Sequence, residues 1–348
     1  MQVPAFLDLE VPIIQAPMAG VQGSALAAAV CNAGGLGSLP CAMLSQQQLR
    51  NELTKLRQAT DRPFNVNFFC HVPPVPDAAR EARWRTALAP YYAELGLDAA
   101  SIPDGPGRNP FSEEAAALLE EFRPAVVSFH FGLPSEALLA RVKAWGATVL
   151  SSATTVDEAV WLQDHGADAI IAQGLEAGGH RGMFLTGDIT TQVGTFALLP
   201  QIVQAVKLPV IAAGGIADAR GVAAAMALGA SAAQVGTTYM LCPEATTSPL
   251  HRAALQSPAA RHTALTNLFT GRPARGIVNR VMRELGPISA AVPEFPLATT
   301  AIAPLRARAE SLGAGDFTPL WSGQNASACK AVPAADLTRE LASLLARR

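Results

Sequence analysis

With 348 residues, half of them hydrophobic, and a mean hydropathy of +0.23, the chain can bury a large core, as two domains or as one barrel with insertions. A net charge of −2 with 16% charged residues leaves no basic stripe for a phosphate backbone, so nucleic acid is not expected as a partner. Five scattered cysteines (Cys31, Cys41, Cys70, Cys242, Cys329) without CxxC spacing argue against a disulfide framework or a zinc knuckle, and free thiols fit a reducing cytoplasm.

The opening MQVPAFLDLE has neither a basic start nor an apolar core with a cleavage site, so no secretory signal is expected. Apolar runs rich in β-branched residues then predict strands at 11–14, 36–39 (the weakest), 64–69, 125–129, 148–150, 169–172, 209–213 and 232–235. Between them, amphipathic or alanine-rich segments predict helices at 24–32, 46–58, 77–94, 113–122, 135–145, 156–165, about 195–206 and 219–228. The longest apolar stretch, 221–236, includes Ser231 and Gln234 and reads as helix, turn and strand, so no membrane span is expected. Eight strands, each followed by a helix, are the count that closes a parallel (β/α)8 TIM barrel. An open doubly wound sheet is the alternative, but 16–20 (APMAG) does not supply the GxGxxG turn it would want.

Two regions break the rhythm. Residues 72–110, proline-rich at both ends, are longer than one crossover needs and predict an excursion over the mouth of the site. After the eighth strand the alternation stops. Short helical patterns, including 250–255 and 304–312, predict a smaller, mainly helical subdomain over 242–331 that covers the active site. An amphipathic helix at 334–346 then returns to close the barrel, so the barrel unit comprises 1–241 and 332–348.

In such barrels ligand-binding residues gather at the carboxyl ends of the strands. Those ends carry Ala16 and Met18, then Asn67, then His130, and after the sixth strand the loop AQGLEAGGHRG with Gln173, Gly178, Gly179 and His180. Gly178 and Gly179 allow the backbone to press against a flat ligand while presenting His180; a flexible loop with an incidental surface histidine is the plainer reading. Strands seven and eight end in Gly214-Gly215 and in Gln234-Val235-Gly236-Thr237, where free backbone N–H groups suit a phosphate. Gly214 and Gly215 would equally make a tight turn. With no metal-ligating cluster, a phosphate site here fits flavin mononucleotide (FMN), with Asn67 and Gln173 as amides for the polar edge of the ring. Either amide would also serve as a helix cap or satisfy a loop carbonyl. Met18 can pack under the ring or belong to the core. Arg181 reads as structural.

These segments carry a resemblance. VPIIQAPMAG, NVNFF, SFHFG, AQGLEAGGHRG, PVIAAGGI and AAQVGTTYM, continued by TGRPARGIVNR, resemble the nitronate monooxygenase family, formerly 2-nitropropane dioxygenases, and its class I members in particular. EAGGH and SFHFG are the discriminating pieces, since the Gly-Gly and Gly-Thr pieces are shared with other FMN barrels. The resemblance implies a flavin-dependent monooxygenase that oxidises alkyl nitronates, such as propionate 3-nitronate, with O2 to carbonyl compounds and nitrite. It puts His180 beside the flavin as the catalytic residue, His130 as a second pocket histidine, and FMN against Asn67, Gln173, Gly178, Gly215 and Gln234 through Thr237. The chain's tyrosines are Tyr91, Tyr92 and Tyr239, so tyrosines the family places late in the sequence have no counterpart. An FMN-dependent NAD(P)H reductase acting on quinones or enoyl thioesters is the second reading, and a binding protein without turnover the third. Within TGRPARG, rich in turn formers and cations, Arg275 would attract the anionic substrate, a solvated loop being the plainer reading.

Overall fold

The computed structural model describes residues 7, 9–98, 100, 102 and 108–345; the start of the expected barrel unit, part of the excursion (99, 101 and 103–107) and the end of the last expected helix lie outside them. The barrel strands are β1 (Ile13–Gln15), β2 (Ser38–Pro40), β3 (Asn65–Phe69), β4 (Val126–His130), β5 (Thr148–Ala153) and β6 (Ala169–Gln173). A two-residue strand, β7 (Gly179–His180), leaves the ring, which continues with β8 (Val210–Ala213) and β9 (Ala232–Val235). All eight barrel strands are parallel, in the order β1-β9-β8-β6-β5-β4-β3-β2. The ring closes where Leu36, just before β2, bridges Ile14: Leu36 N–H donates to Ile13 O and Gln15 N–H to Leu36 O, both at 2.9 Å.

Strand periodicity explains why these apolar runs have no polar face. Ile14, Val126, Leu150, Ile171, Ile211 and Ala213 fill the barrel interior, while the alternate residues Ile13, Ile170, Ala172, Val210, Ala212 and Val235 pack outward against helices. The helical ring is α1 (Ser24–Asn32), α2 (Gln46–Ala59), α4 (Glu113–Phe122), α5 (Glu136–Ala144), α6 (Val156–Asp164), α7 (Thr195–Ala205) and α8 (Ala219–Ala227), while α3 (Ala78–Glu94), in the excursion, packs on the region beyond β9 instead. Most start on a side-chain cap that the sequence places at the end of the preceding loop: Ser45 with Gln48 in a capping box, Thr155 before α6, Asp218 before α8.

Beyond β9 come α9 (Pro249–Gln256), β10 (Thr263–Thr266), β11 (Ala274–Ile277), α10 (Arg280–Glu284), α11 (Ala298–Ser311) and α12 (Ala334–Leu341). Region 242–331 is therefore less purely helical than the sequence predicts. Its two strands join β7 in an antiparallel sheet, β10-β11-β7, with Ala274 opposite His180 and Arg275 opposite Gly179. The region shares its apolar core with the excursion: Trp84, Leu88 and Tyr92 of α3 pack on Ala301, Ile302 and Leu305 of α11. Trp84 Nε1–H donates to Ala298 O (3.2 Å) and Tyr92 OH to Ala301 O (2.7 Å). Helix α12 lies beside α1 and α8, where Thr338 bonds the Tyr239 hydroxyl at 2.8 Å.

Candidate active site

A cavity of about 1340 Å³, counted to its open mouth, lies at the carboxyl ends of the barrel strands. Ala16, Met18, Asn67, His130, Gln173, Gly178, Gly179, His180, Gly214, Gly215, Gln234, Gly236 and Thr237 all line it, so thirteen of the fourteen residues picked from the sequence meet there. Val235 does not. It is 1% exposed, packs outward from β9 against the helices, and its carbonyl accepts the Ala16 N–H at 2.8 Å; strand alternation turns it away from the cavity its neighbours line.

The loop that carries His180 is fixed from several sides. The Gln173 amide spans it, Nε2–H donating to His180 O (2.9 Å) and Oε1 accepting from Gly182 N–H (2.8 Å). Gln173 thus lines the cavity with an amide already committed to the loop. Arg181, fully buried, donates to Gln173 O and Gly174 O (2.7 Å each) and to Gln192 Oε1 (2.8 Å), the structural role expected of it. Glu176 accepts the Thr195 N–H and hydroxyl at 2.8 Å, tying the loop to the start of α7. A Cβ on Gly178 would lie 2.5 Å from Gly323 N, so only glycine lets segment 322–323 pass this close.

His180 sits in an aromatic box of Phe69, Phe131, Phe295 and Trp321, with ring centroids 5.5 to 6.1 Å away. Its Nε2 is 2.9 Å from Thr270 Oγ1. Thr270 directs its own proton toward Arg272 O (3.5 Å), which leaves its hydroxyl oxygen to accept from His180 Nε2–H. Nδ1, without a protein partner among the described residues, then carries the lone pair. Burial holds this imidazole well below its ordinary pKa, and the charges of Arg108, His130, Arg272 and His71 push the same way. The ring is neutral at physiological pH.

His130 is also present, but both its nitrogens are occupied: Nδ1 lies 3.1 Å from Ser152 Oγ and Nε2 3.1 Å from His180 O. A carbonyl only accepts, so Nε2 bears the proton, and burial lowers the pKa to about 4. This geometry makes His130 a neutral positioning residue for the His180 loop.

Arg275 departs from expectation. It is 4% exposed, and it donates through Nε to Leu175 O (2.9 Å) and through Nη1 to Thr263 Oγ1 (3.1 Å), outside the cavity. Because β11 pairs with β7, its side chain is spent joining the two strands to the His180 loop. The cation that does line the cavity is Arg108, from the excursion. No carboxylate lines it among the described residues. Phe295 and Trp321 were not picked out from the sequence, because they reach His180 only through the tertiary packing of a region far downstream. Phe69, Phe131 and Thr270 stood within the NVNFF, SFHFG and TGRPARGIVNR segments.

Residues 2–343 match the sequence pattern of the family described as "Nitronate monooxygenase". A nitronate monooxygenase of Pseudomonas aeruginosa is 44% identical over 341 residues, covering 96% of each chain. The chain belongs to the nitronate monooxygenase family. Members of this family are flavin-dependent oxidoreductases, and a solved nitroalkane oxidase from Streptomyces ansochromogenes superposes with a TM-score of 0.89 at 39% identity, covering 97% of this chain and 96% of that one. FabK from Thermotoga maritima superposes at 0.72 with 28% identity, covering 98% and 95%. Among the described residues no group of His, Cys, Asp and Glu could hold a metal ion, and no helix is long and apolar enough to cross a membrane.

Proposed function

We propose that this nitronate monooxygenase family member holds FMN and uses it with O2 to convert alkyl nitronates to carbonyl compounds and nitrite. The observation that carries the reading is His180: a neutral imidazole whose Nδ1 has no partner among the described residues, facing a cavity that those residues line with a cation and no carboxylate. An anionic nitronate meets no like charge there, and a neutral nitroalkane meets a base able to accept its α-proton.

The residues present suit the cofactor. Gln234 Oε1 is buried without a partner among the described residues, and Gln234 lines the cavity, as an acceptor for a ring N–H would. Asn67 donates its amide to Ser128, which leaves its carbonyl oxygen for a ligand. Gly215 is held at φ +73°, and its N–H donates to no group among the described residues; with Gly214, Gly236 and Thr237 it would hold the phosphate. A Cβ at Gly236 would lie in ordinary contact with Ala16 Cβ (3.4 Å) and Met18 Sδ (3.5 Å), so Gly236 lies beside both of these cavity-lining residues. When bound, the flavin supplies one-electron acceptance from the substrate and reaction with O2. The chain's own part is to orient the nitronate between His180 and the aromatic box, to keep water from the reacting carbon, and to move a proton at His180 Nδ1. Five cysteines free of disulfides fit a reducing, cytoplasmic setting.

Anaerobic mixing tests the assignment. A nitronate is expected to change the visible spectrum of the flavin-loaded protein and NADH to leave it unaltered. Bleaching by NADH alone would assign the NAD(P)H reductase reading instead.

A further inference from the structure

One short stretch of the covering region, 321–329, touches both ends of the cavity. It begins beside β11, where Ile277 N–H donates to Leu320 O (2.8 Å) and Ser322 N–H to Arg275 O (3.3 Å), and it sets the Trp321 ring 5.6 Å from that of His180. Beyond Trp321 it crosses as a strap to the loops after β6, β8 and β9. Gly323 N–H donates to Thr237 Oγ1 (3.0 Å), Gln324 N–H to Glu176 O (2.9 Å), Asn325 Nδ2–H to Gly215 O (3.2 Å) and Cys329 Sγ–H to Thr237 O (3.3 Å). Gly323 and Asn325 line the cavity with Gly215 and Thr237.

Two of these bonds act on groups that would face a phosphate. The Thr237 hydroxyl takes the Gly323 N–H into a lone pair, so its own proton points elsewhere, and that proton has no acceptor among the described residues. Gly214 and Gly215, at φ +112° and +73°, leave the next peptide plane free to turn, and a carbonyl turned toward an anion repels it. Asn325 engages that carbonyl, while the Gly215 N–H donates to no described residue. The Asn325 amide is itself held in one orientation, because its Oδ1 accepts from Ser327 Oγ–H (2.6 Å) and Ser327 N–H (3.3 Å).

We propose that Asn325, together with the Gly323 N–H, is a positioning residue for the phosphate end of the cavity. The glycine loops of the barrel become an anion site only with the strap in place, so the covering region sets how strongly the protein prefers a phosphorylated flavin to the same ring without phosphate. The inference rests on the FMN reading above and deepens it. Asn325 is exposed, so its bond to Gly215 competes with water, and its loss changes affinity without unfolding the site.

The test titrates flavin-depleted, full-length protein with FMN and with riboflavin, following flavin fluorescence. Asn325→Ala is expected to raise the Kd for FMN about 10-fold, the scale of one hydrogen bond next to an anion, and to leave that for riboflavin unchanged. Ser327→Ala, which frees the Asn325 amide without removing it, should lie between wild type and Asn325→Ala. The rate of FMN release from the loaded protein on dilution should rise in the same order. A wild type that prefers FMN, with a preference that Asn325→Ala keeps in full, would refute the proposal alone, as would equal losses of both flavins in that variant. A wild type that holds FMN no more tightly than riboflavin, or that holds neither, would instead refute the phosphate site at Gly215 and Thr237, and the proposal with it.

Discussion

His130, at the end of β4, donates to the His180 carbonyl, yet the surroundings of the two imidazoles give them different work. His130 engages both ring nitrogens, with Ser152 of β5 and with the His180 loop, whereas His180 uses only Nε2 and keeps Nδ1 for a ligand. His180→Asn should therefore fold and hold flavin but lose at least about 100-fold in turnover of a neutral nitroalkane, the usual scale for a positioned base. Stopped-flow rates with nitroalkane and with preformed nitronate would separate proton removal from oxidation. Because the His180 pKa is depressed, the base is already neutral at pH 6.5, and kcat/KM for the nitroalkane should stay on its plateau until the medium is more acidic than that. An apparent pKa of 6.5 or higher on the acid limb would contradict the assignment. At this scale the sequence was readable wherever a residue stood on a strand end. Val235 was misplaced because a contiguous motif ignores strand alternation, and Arg275 because its charge was counted without the carbonyls that absorb it. Arg108 drew no attention in a proline-rich segment whose course only packing fixes.

Among the elements, α6 has a task beyond covering the barrel. Glu158 on α6 is fully buried and accepts from Thr154 N–H and Oγ–H (2.7 Å each), Phe184 N–H (2.6 Å) and Leu185 N–H (3.3 Å). It thereby pins the chain just after the His180 loop to the end of β5. Glu158→Ala strands these donors in the interior and should cost about 3 kcal/mol, measured by urea denaturation; a loss within 0.5 kcal/mol, roughly the range of a surface change, would show that water replaces the carboxylate. The barrel strands and their helices were legible because long apolar runs keep their period and the caps stand in the loops. The β10-β11-β7 sheet was not, since GH, TALT and ARGI carry no apolar β-branched run of the kind that marks the barrel strands.

For the whole molecule, buried neutral histidines set an acid limit. His130 and His251 are lowered by burial to about 4 in the folded state, against an ordinary value near 6.5. As pH falls through 6.5 the unfolded chain takes up protons that the folded one refuses, so stability declines from there until the folded histidines protonate near pH 4. Each contributes up to about 3 kcal/mol across that window. Melting temperature should fall steadily between pH 7 and 4, and His251→Gln, away from the cavity, should flatten the slope; an unaltered slope would show that His251 protonates in the native state. The pairing of β7 with β11 reaches further still, into how such proteins diversify. The strand that displays His180 is hydrogen-bonded to the covering region as well as rooted in the barrel. That cover is no interchangeable module: a chimera that imports a relative's 242–331 inherits a new alignment of the imidazole along with a new pocket wall. Recombination breakpoints at the end of β9 should therefore yield folded but catalytically misregistered proteins, whereas exchanges that move residues 174–182 together with the cover keep the two in step.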